Sequence, residues 1–222
     1  ARFDHRDSGL STHRDAPYGF RDMAGDAVAV LDALEWPSAH VVGASLGGMI
    51  GQVMAVHHAD RVRTLSSLSS APCVSWRVSR PRVRAVLRIF AMIARTRDPG
   101  DRLVRLFRIV GSPLDPRDEE RLRRISRTYP PDLAAYRRQS TALRASGDRR
   151  AELAGVTAPT LVLHGEDDPL QSLPAARATA RAIPNARLVT YPGMGHDLPR
   201  RRWPDVIAEI AALADTVEPV RP

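Results

Sequence analysis

Ala39-His40-Val41-Val42-Gly43-Ala44-Ser45-Leu46-Gly47-Gly48-Met49-Ile50-Gly51-Gln52-Val53-Met54-Ala55 decides how the rest of the chain is read. Its first four residues have the make-up of a short buried strand, and the last eight that of an opening helix. Between them, Gly43-Ala44-Ser45-Leu46-Gly47 matches the Gly-x-Ser-x-Gly pattern of a sharp strand-to-helix turn. Such a turn needs small residues, because the backbone folds back tightly to lift the serine hydroxyl clear of the sheet. A serine at this place can also serve as a plain helix N-cap. With a glycine on either side, the pattern points instead to a nucleophile, Ser45.

Working outward, Gly19 to Trp36 predicts a helix with Phe20, Met23, Ala27, Val30, Leu31 and Leu34 on one face, stopped by Pro37. The helix after Ser45 ends near His57-His58. Arg61 to Ser70 predicts a strand whose apolar members are Val62, Leu65 and Leu68. From Ala71 to Arg150 the pattern turns helical. Val83, Val86, Leu87, Phe90 and Ala94 form one stripe, and Leu103, Leu106, Phe107 and Val110 a second. Leu122 with Ile125 makes a shorter third, and Leu133, Tyr136, Ser140 and Leu143 a fourth. Each is expected to face a core.

Strands return at Thr160-Leu161-Val162-Leu163-His164 and at Ala186 to Tyr191. Helices are predicted over Ala175 to Ile183 and Pro204 to Ala214. Strands alternating with helices imply an α/β fold with a doubly wound, mainly parallel sheet. The expected division is a core in two parts, 1–70 and 151–222, with a helical insertion at 71–150.

The 222 residues are 43% hydrophobic and 26% charged, which fits a globular protein with a sizeable core. All 33 basic residues are arginine, and the formal net charge is +8. The surplus is regional: residues 73–150 hold 20 arginines against 8 carboxylates, and the rest of the chain holds 13 against 17. Because these arginines lie on amphipathic helices without interleaved aromatic residues, neither a nucleic-acid partner nor a membrane is expected. The single cysteine, Cys73, cannot close an internal disulfide and has no metal-ligand spacing around it. A reducing, cytoplasmic setting follows, with neither metal nor organic cofactor expected.

A serine hydroxyl needs a base, and the base needs an orienting acid. Glu166-Asp167-Asp168-Pro169 follows one late strand, and Gly193-Met194-Gly195-His196-Asp197 follows the next. All lie at carboxyl ends of strands, where sites on parallel sheets form. Six other histidines are present, but only His196 follows a late strand in a glycine-rich loop, which makes it the candidate base. For the acid, Glu166, Asp167 and Asp168 stand open at this level.

With Ser45, an acid and a histidine in that order, the chain resembles the α/β-hydrolase-fold serine hydrolases over nearly its whole length. Phe3-Asp4-His5-Arg6-Asp7-Ser8-Gly9-Leu10-Ser11 resembles the family's Asp-x-Arg-Gly-x-Gly-x-Ser segment, with Asp7 where the family commonly has glycine. That segment, the Ser45 turn and Pro192 to His196 are similar to the aclacinomycin methylesterase type of esterase. The resemblance implies Asp168, directly before proline, as the acid and Leu46 N–H as an oxyanion donor. It implies a small-molecule ester as substrate, with a methyl ester of a hydrophobic or polyketide-like molecule as one form. It makes 71–150 the family's cap. A cofactor-free peroxidase, an acyltransferase or a catalytically silent binding protein of the same fold are the alternatives.

In the family, three strands precede the segment that begins here at Phe3, and the loop after the third supplies a second oxyanion N–H. The resemblance therefore implies an N-terminally incomplete chain that lacks the strand next to the Ser45 strand, which would open the middle of the sheet and not trim an edge.

Overall fold

Four short strands make one parallel sheet in the order β1-β2-β3-β4: β1 (Ala39–Ala44), β2 (Val62–Leu68), β3 (Thr160–Gly165) and β4 (Arg187–Tyr191). The structure is a computed structural model that describes residues 1–13, 15–75, 77–79, 81–130 and 132–217. Ala44 pairs with Leu68, Leu68 with Leu163 and Leu163 with Val189, so the carboxyl ends of all four strands lie along one edge. Residues 1–13 contribute no strand, and among the described residues β1 pairs with β2 alone, at the edge of the sheet.

Both faces of the sheet carry helices, as a doubly wound sheet requires. On one face α1 (Phe20–Ala33), α2 (Leu46–His57) and α8 (Leu173–Ala182) enclose Met23, Met49, Ile50, Val53, Leu65, Ala175 and Ile183. On the other, α9 (Trp203–Ala214) covers Leu68, Leu161, Leu163 and Met194 with Val206 and Leu213. β3 lies in the middle and is buried at every position, which explains its unbroken apolar run. β2 is also buried, serines included. Ser67 is held there by Gln52, whose amide donates to its hydroxyl at 3.1 Å.

Between β2 and β3 the chain forms α3 (Val83–Arg95), α4 (Pro99–Val110), α5 (Pro116–Thr128) and α6 (Leu133–Ala145), then the short α7 (Arg150–Leu153). Asp98, Asp115 and Asp132 cap α4, α5 and α6 by accepting backbone N–H bonds at 2.8 Å, and proline opens α4 and α5. The insertion closes at its base through Arg149. Its backbone N–H donates to Pro72 O (3.1 Å) and its guanidinium to Ala71 O (2.9 Å). Burial pushes the Arg149 pKa down to about 10.

Two of the predicted stripes face the other way. In α3, Val83, Leu87 and Phe90 are exposed while Ala85 and Met92 are buried. In α6, Leu133 and Tyr136 are exposed while Ala135 and Ala142 are buried. Small residues let the neighbouring backbone approach closely, so the narrower side of each helix is the packed one.

Candidate active site

Ser45 directly follows β1 with φ +52° and ψ −115°, a left-handed backbone that a non-glycine residue rarely adopts. The surrounding bonds hold it there. Its N–H donates to Leu68 O (2.8 Å), and its carbonyl accepts from Ser70 Oγ (3.0 Å) and from Met49 N–H (3.2 Å) as α2 begins. Glycine at 43 is obligatory, since a Cβ there would lie 2.2 Å from Gly47 O. As the first residue of α2, Leu46 has an N–H without an intrahelical partner, at the positive end of the helix dipole.

The structure brings Ser45, His196 and Asp168 into one chain of hydrogen bonds. His196 Nε2 lies 2.9 Å from Ser45 Oγ, and His196 Nδ1 lies 2.6 Å from Asp168 Oδ2. With the Nδ1 proton directed to the carboxylate, Nε2 is the acceptor for the serine proton. Asp168 is buried, and its other oxygen accepts the N–H groups of Leu170 (2.8 Å) and Gln171 (2.9 Å), which fix the carboxyl in place. Glu166 and Asp167 are exposed and turned elsewhere: Glu166 accepts from Thr190 Oγ1 (2.7 Å), and Asp167 stands 3.7 Å from Arg82. Of the three acids, Asp168 is the one that reaches the imidazole.

Below the acid, His164 is fully buried. Its Nε2 donates to Gln171 O at 2.6 Å and lies 3.5 Å from Asp168 Oδ2, so it braces the acid's loop from beneath. Burial holds its pKa below the usual value, so the ring is neutral. Gly165 lets the loops after β3 and β4 touch, because a Cβ there would meet Met194 O at 2.3 Å.

The N-terminal segment borders the site. Asp7 has φ +66°, a backbone that favours glycine, and aspartate is among the other residues that tolerate it. Its buried carboxylate accepts both forks of Arg138 on α6 (2.7 and 2.9 Å) and the Tyr18 hydroxyl (2.8 Å). Gln139 adds bonds to Arg6 O (3.0 Å) and Ser8 Oγ (2.8 Å). This clamp keeps His5 over the turn, its Nε2 3.8 Å from where a Gly47 Cβ would stand. In the sequence Asp7 is only a departure from the family pattern, and nothing there points to its partner on α6. Among the described residues no group of three His, Cys, Asp or Glu is placed to hold a metal ion.

A parallel sheet that presents serine, histidine and a buried aspartate along the carboxyl ends of its strands is the architecture of α/β-hydrolase enzymes. The family model described as alpha/beta hydrolase fold matches residues 1–199, and the chain belongs to that family. Rhodomycin D methylesterase DnrP of Streptomyces peucetius is 33% identical over 241 residues, spanning 95% of this chain and 79% of the relative. Pimeloyl-(acyl-carrier protein) methyl ester esterase of Nitrosomonas europaea is 34% identical over 161 residues, 70% of this chain and 63% of the relative. Among solved structures, a hydrolase from Pseudomonas aeruginosa PA01 superimposes with a TM-score of 0.74 at 27% identity, covering 96% of this chain and 78% of that one. The relatives are named as esterases and hydrolases, and the chain is an enzyme of that kind. No helix of the described residues is long and apolar enough to cross a membrane.

Proposed function

We propose that the protein is a serine carboxylic ester hydrolase acting through Ser45, His196 and Asp168, with a methyl ester of a small hydrophobic or polyketide-like molecule as substrate. One observation carries the reading: the unbroken Asp168–His196–Ser45 hydrogen-bond chain, 2.6 and 2.9 Å long. The names of the two methyl-ester-cleaving relatives support the substrate class.

On this reading His196 Nε2 takes the hydroxyl proton as Ser45 Oγ attacks the ester carbonyl carbon. Negative charge gathers on the carbonyl oxygen, where Leu46 N–H and the α2 dipole stabilise it. Asp168 holds the imidazole in the right tautomer and balances the charge it acquires. Collapse of the intermediate breaks the bond to the alkoxide, which takes its proton from His196 and leaves as alcohol. A water molecule then gives its proton to His196 and attacks the acyl-serine; the bond to Ser45 Oγ breaks, the acid leaves, and Oγ takes the proton back from His196. Residues 71–150 serve as a cap over a core formed by 1–70 and 151–222. Cys73 is free and buried, as suits the reducing cytoplasm.

The test is labelling of Ser45 by a fluorophosphonate together with turnover of short aryl and methyl esters. Ser45→Ala is expected to abolish labelling and to lower turnover by about 10⁴-fold or more. Unchanged ester turnover in that variant would overturn the assignment.

A further inference from the structure

The loop that carries His196 is gripped by the inserted helices. The end of α4 and the two residues after it, Val110-Gly111-Ser112, lie directly against Gly195-His196-Asp197. His196 N–H donates to Val110 O at 2.7 Å. Gly195 N–H donates to Ser112 Oγ at 3.1 Å. Ser112 in turn donates both its hydroxyl and its own N–H to Asp197 Oδ1, each at 2.8 Å. The residue before the histidine and the residue after it are thus tied to one serine hydroxyl, and the histidine's own backbone is tied beside it.

The approach is close enough to dictate residue type on both sides. A Cβ on Gly195 would stand 2.6 Å from Val110 O and from Gly111 C. A Cβ on Gly111 would stand 2.8 Å from Phe107 O and 3.2 Å from Asp197 Cγ. Val110 and Ser112 are both buried, so these bonds are shielded from competing water. The hydroxyl donates its one proton and accepts one bond here, and removing it would leave the Gly195 N–H unsatisfied.

We infer that Ser112 and Asp197 are positioning residues for His196, forming a splint through which the inserted helices set the orientation of the base. The proposal rests on the Ser45–His196–Asp168 reading. Without the splint the histidine loop keeps its bonds from below, such as Asp167 N–H to Met194 O at 3.0 Å, but on the α4 side is left with only the His196 N–H to Val110 O bond. Displacement of a reacting group by about 1 Å can lower a rate about 100-fold. The splint also occupies the Asp197 oxygen nearest Ser112, which keeps that carboxylate fixed at the side of the loop while Asp168 serves the imidazole.

The experiment compares Ser112→Ala, Asp197→Ala and Asp197→Asn with the parent chain in fluorophosphonate labelling and ester turnover. The labelling end point counts intact Ser45 sites, and the labelling rate reads how well the base is placed. Ser112→Ala and Asp197→Ala are expected to label to the parent end point at a rate lowered up to about 100-fold. Per labelled site, kcat should fall in parallel while KM stays near the parent's. Asp197→Asn keeps an accepting Oδ1 and is expected to restore both rates. Parent labelling rate and parent kcat per site in Asp197→Ala would overturn the splint, and so would an Asp197→Asn no better than Asp197→Ala. The Asp197 pair decides the matter even where Ser112→Ala fails to fold. A parent chain that does not label at Ser45 would instead overturn the hydrolase reading on which the splint rests.

Discussion

Helices α2 and α3 both carry abundant apolar residues and use them in opposite ways. In α2, Met49, Ile50, Val53 and Met54 are all buried, because most positions of the helix are apolar and it lies between the sheet and α1. In α3, Val83, Leu87 and Phe90 are 58%, 62% and 67% exposed, and the packed side is the one with Ala85 and Met92. A periodic stripe identifies two faces of a helix, and only the neighbours decide which face is covered. The sheet supplies those neighbours for α2. For α3 the partner is α4, which packs along the narrower side.

The α/β part is tightest at the turn before α2. Gly43→Ala would drive a Cβ into the Gly47 carbonyl at 2.2 Å, against backbone that cannot step aside. We expect a loss of more than about 4 kcal/mol in denaturant titration, the range reserved for severe strain or overpacking. Gly25→Ala is the control. It lies inside α1 with nothing within 4 Å of the new methyl group, and a gain of about 1 kcal/mol is expected from helix propensity alone. Equal effects at the two positions would mean that the turn is far looser than its geometry.

pH separates the same two regions. Residues 83–145 contain no histidine, so near neutrality the titrating rings belong to the rest of the chain. The insertion is held instead by arginine–carboxylate pairs such as Arg123–Asp101 at 3.3 Å and Arg108–Glu119. His164 is neutral in the fold because burial lowers its pKa from the ordinary 6.5. The unfolded chain therefore binds a proton at this site before the folded one does. Stability is full above pH 6.5 and falls as the pH drops below it, towards the lowered folded value. Denaturant midpoints measured from pH 8 down to pH 5 should hold steady above ~6.5 and fall below it. His164→Gln should flatten the profile. A profile that keeps its full slope in the variant would place the titration at another histidine, with His5, whose pKa burial also lowers, as the next to replace.

Much of the α/β part was legible because its strands obey simple rules. β3, covered on both faces, reads as a continuous apolar run, and β1 and α2 are divided by a glycine-flanked serine. β2 was the faint one: its serines look solvated until Gln52 is seen to bind Ser67 from α2. Ser45 and His196 could be found from motif and order, but Asp168 could be chosen among three neighbouring acids only by resemblance to a family. Its two bonds from Leu170 and Gln171 distinguish it physically, and they are visible only in three dimensions. Contacts that tie the insertion to the site left no trace in the sequence. Ser112 meets Asp197 across 85 positions and Asp7 meets Arg138 across 131, with no periodicity or motif to announce either pair.

The smallest expected effect bears most directly on which face of α3 is covered. Phe90→Ser removes a large aromatic side chain, a change that costs several kcal/mol when the residue belongs to a core. At 67% exposure it should cost no more than about 0.5 kcal/mol, because the ring leaves little apolar surface to be returned to water. Met92→Ala, on the opposite side of the same helix and 8% exposed, should cost about 2 kcal/mol or more. The two substitutions are two residues apart in sequence, so helix propensity and local charge are nearly matched and burial is the main variable. Denaturant midpoints in which Phe90→Ser is the more damaging would mean that the Val83–Leu87–Phe90 face is covered in solution. The apolar stripe read from the sequence would then describe the working molecule better than the packing of α3 on α4 does.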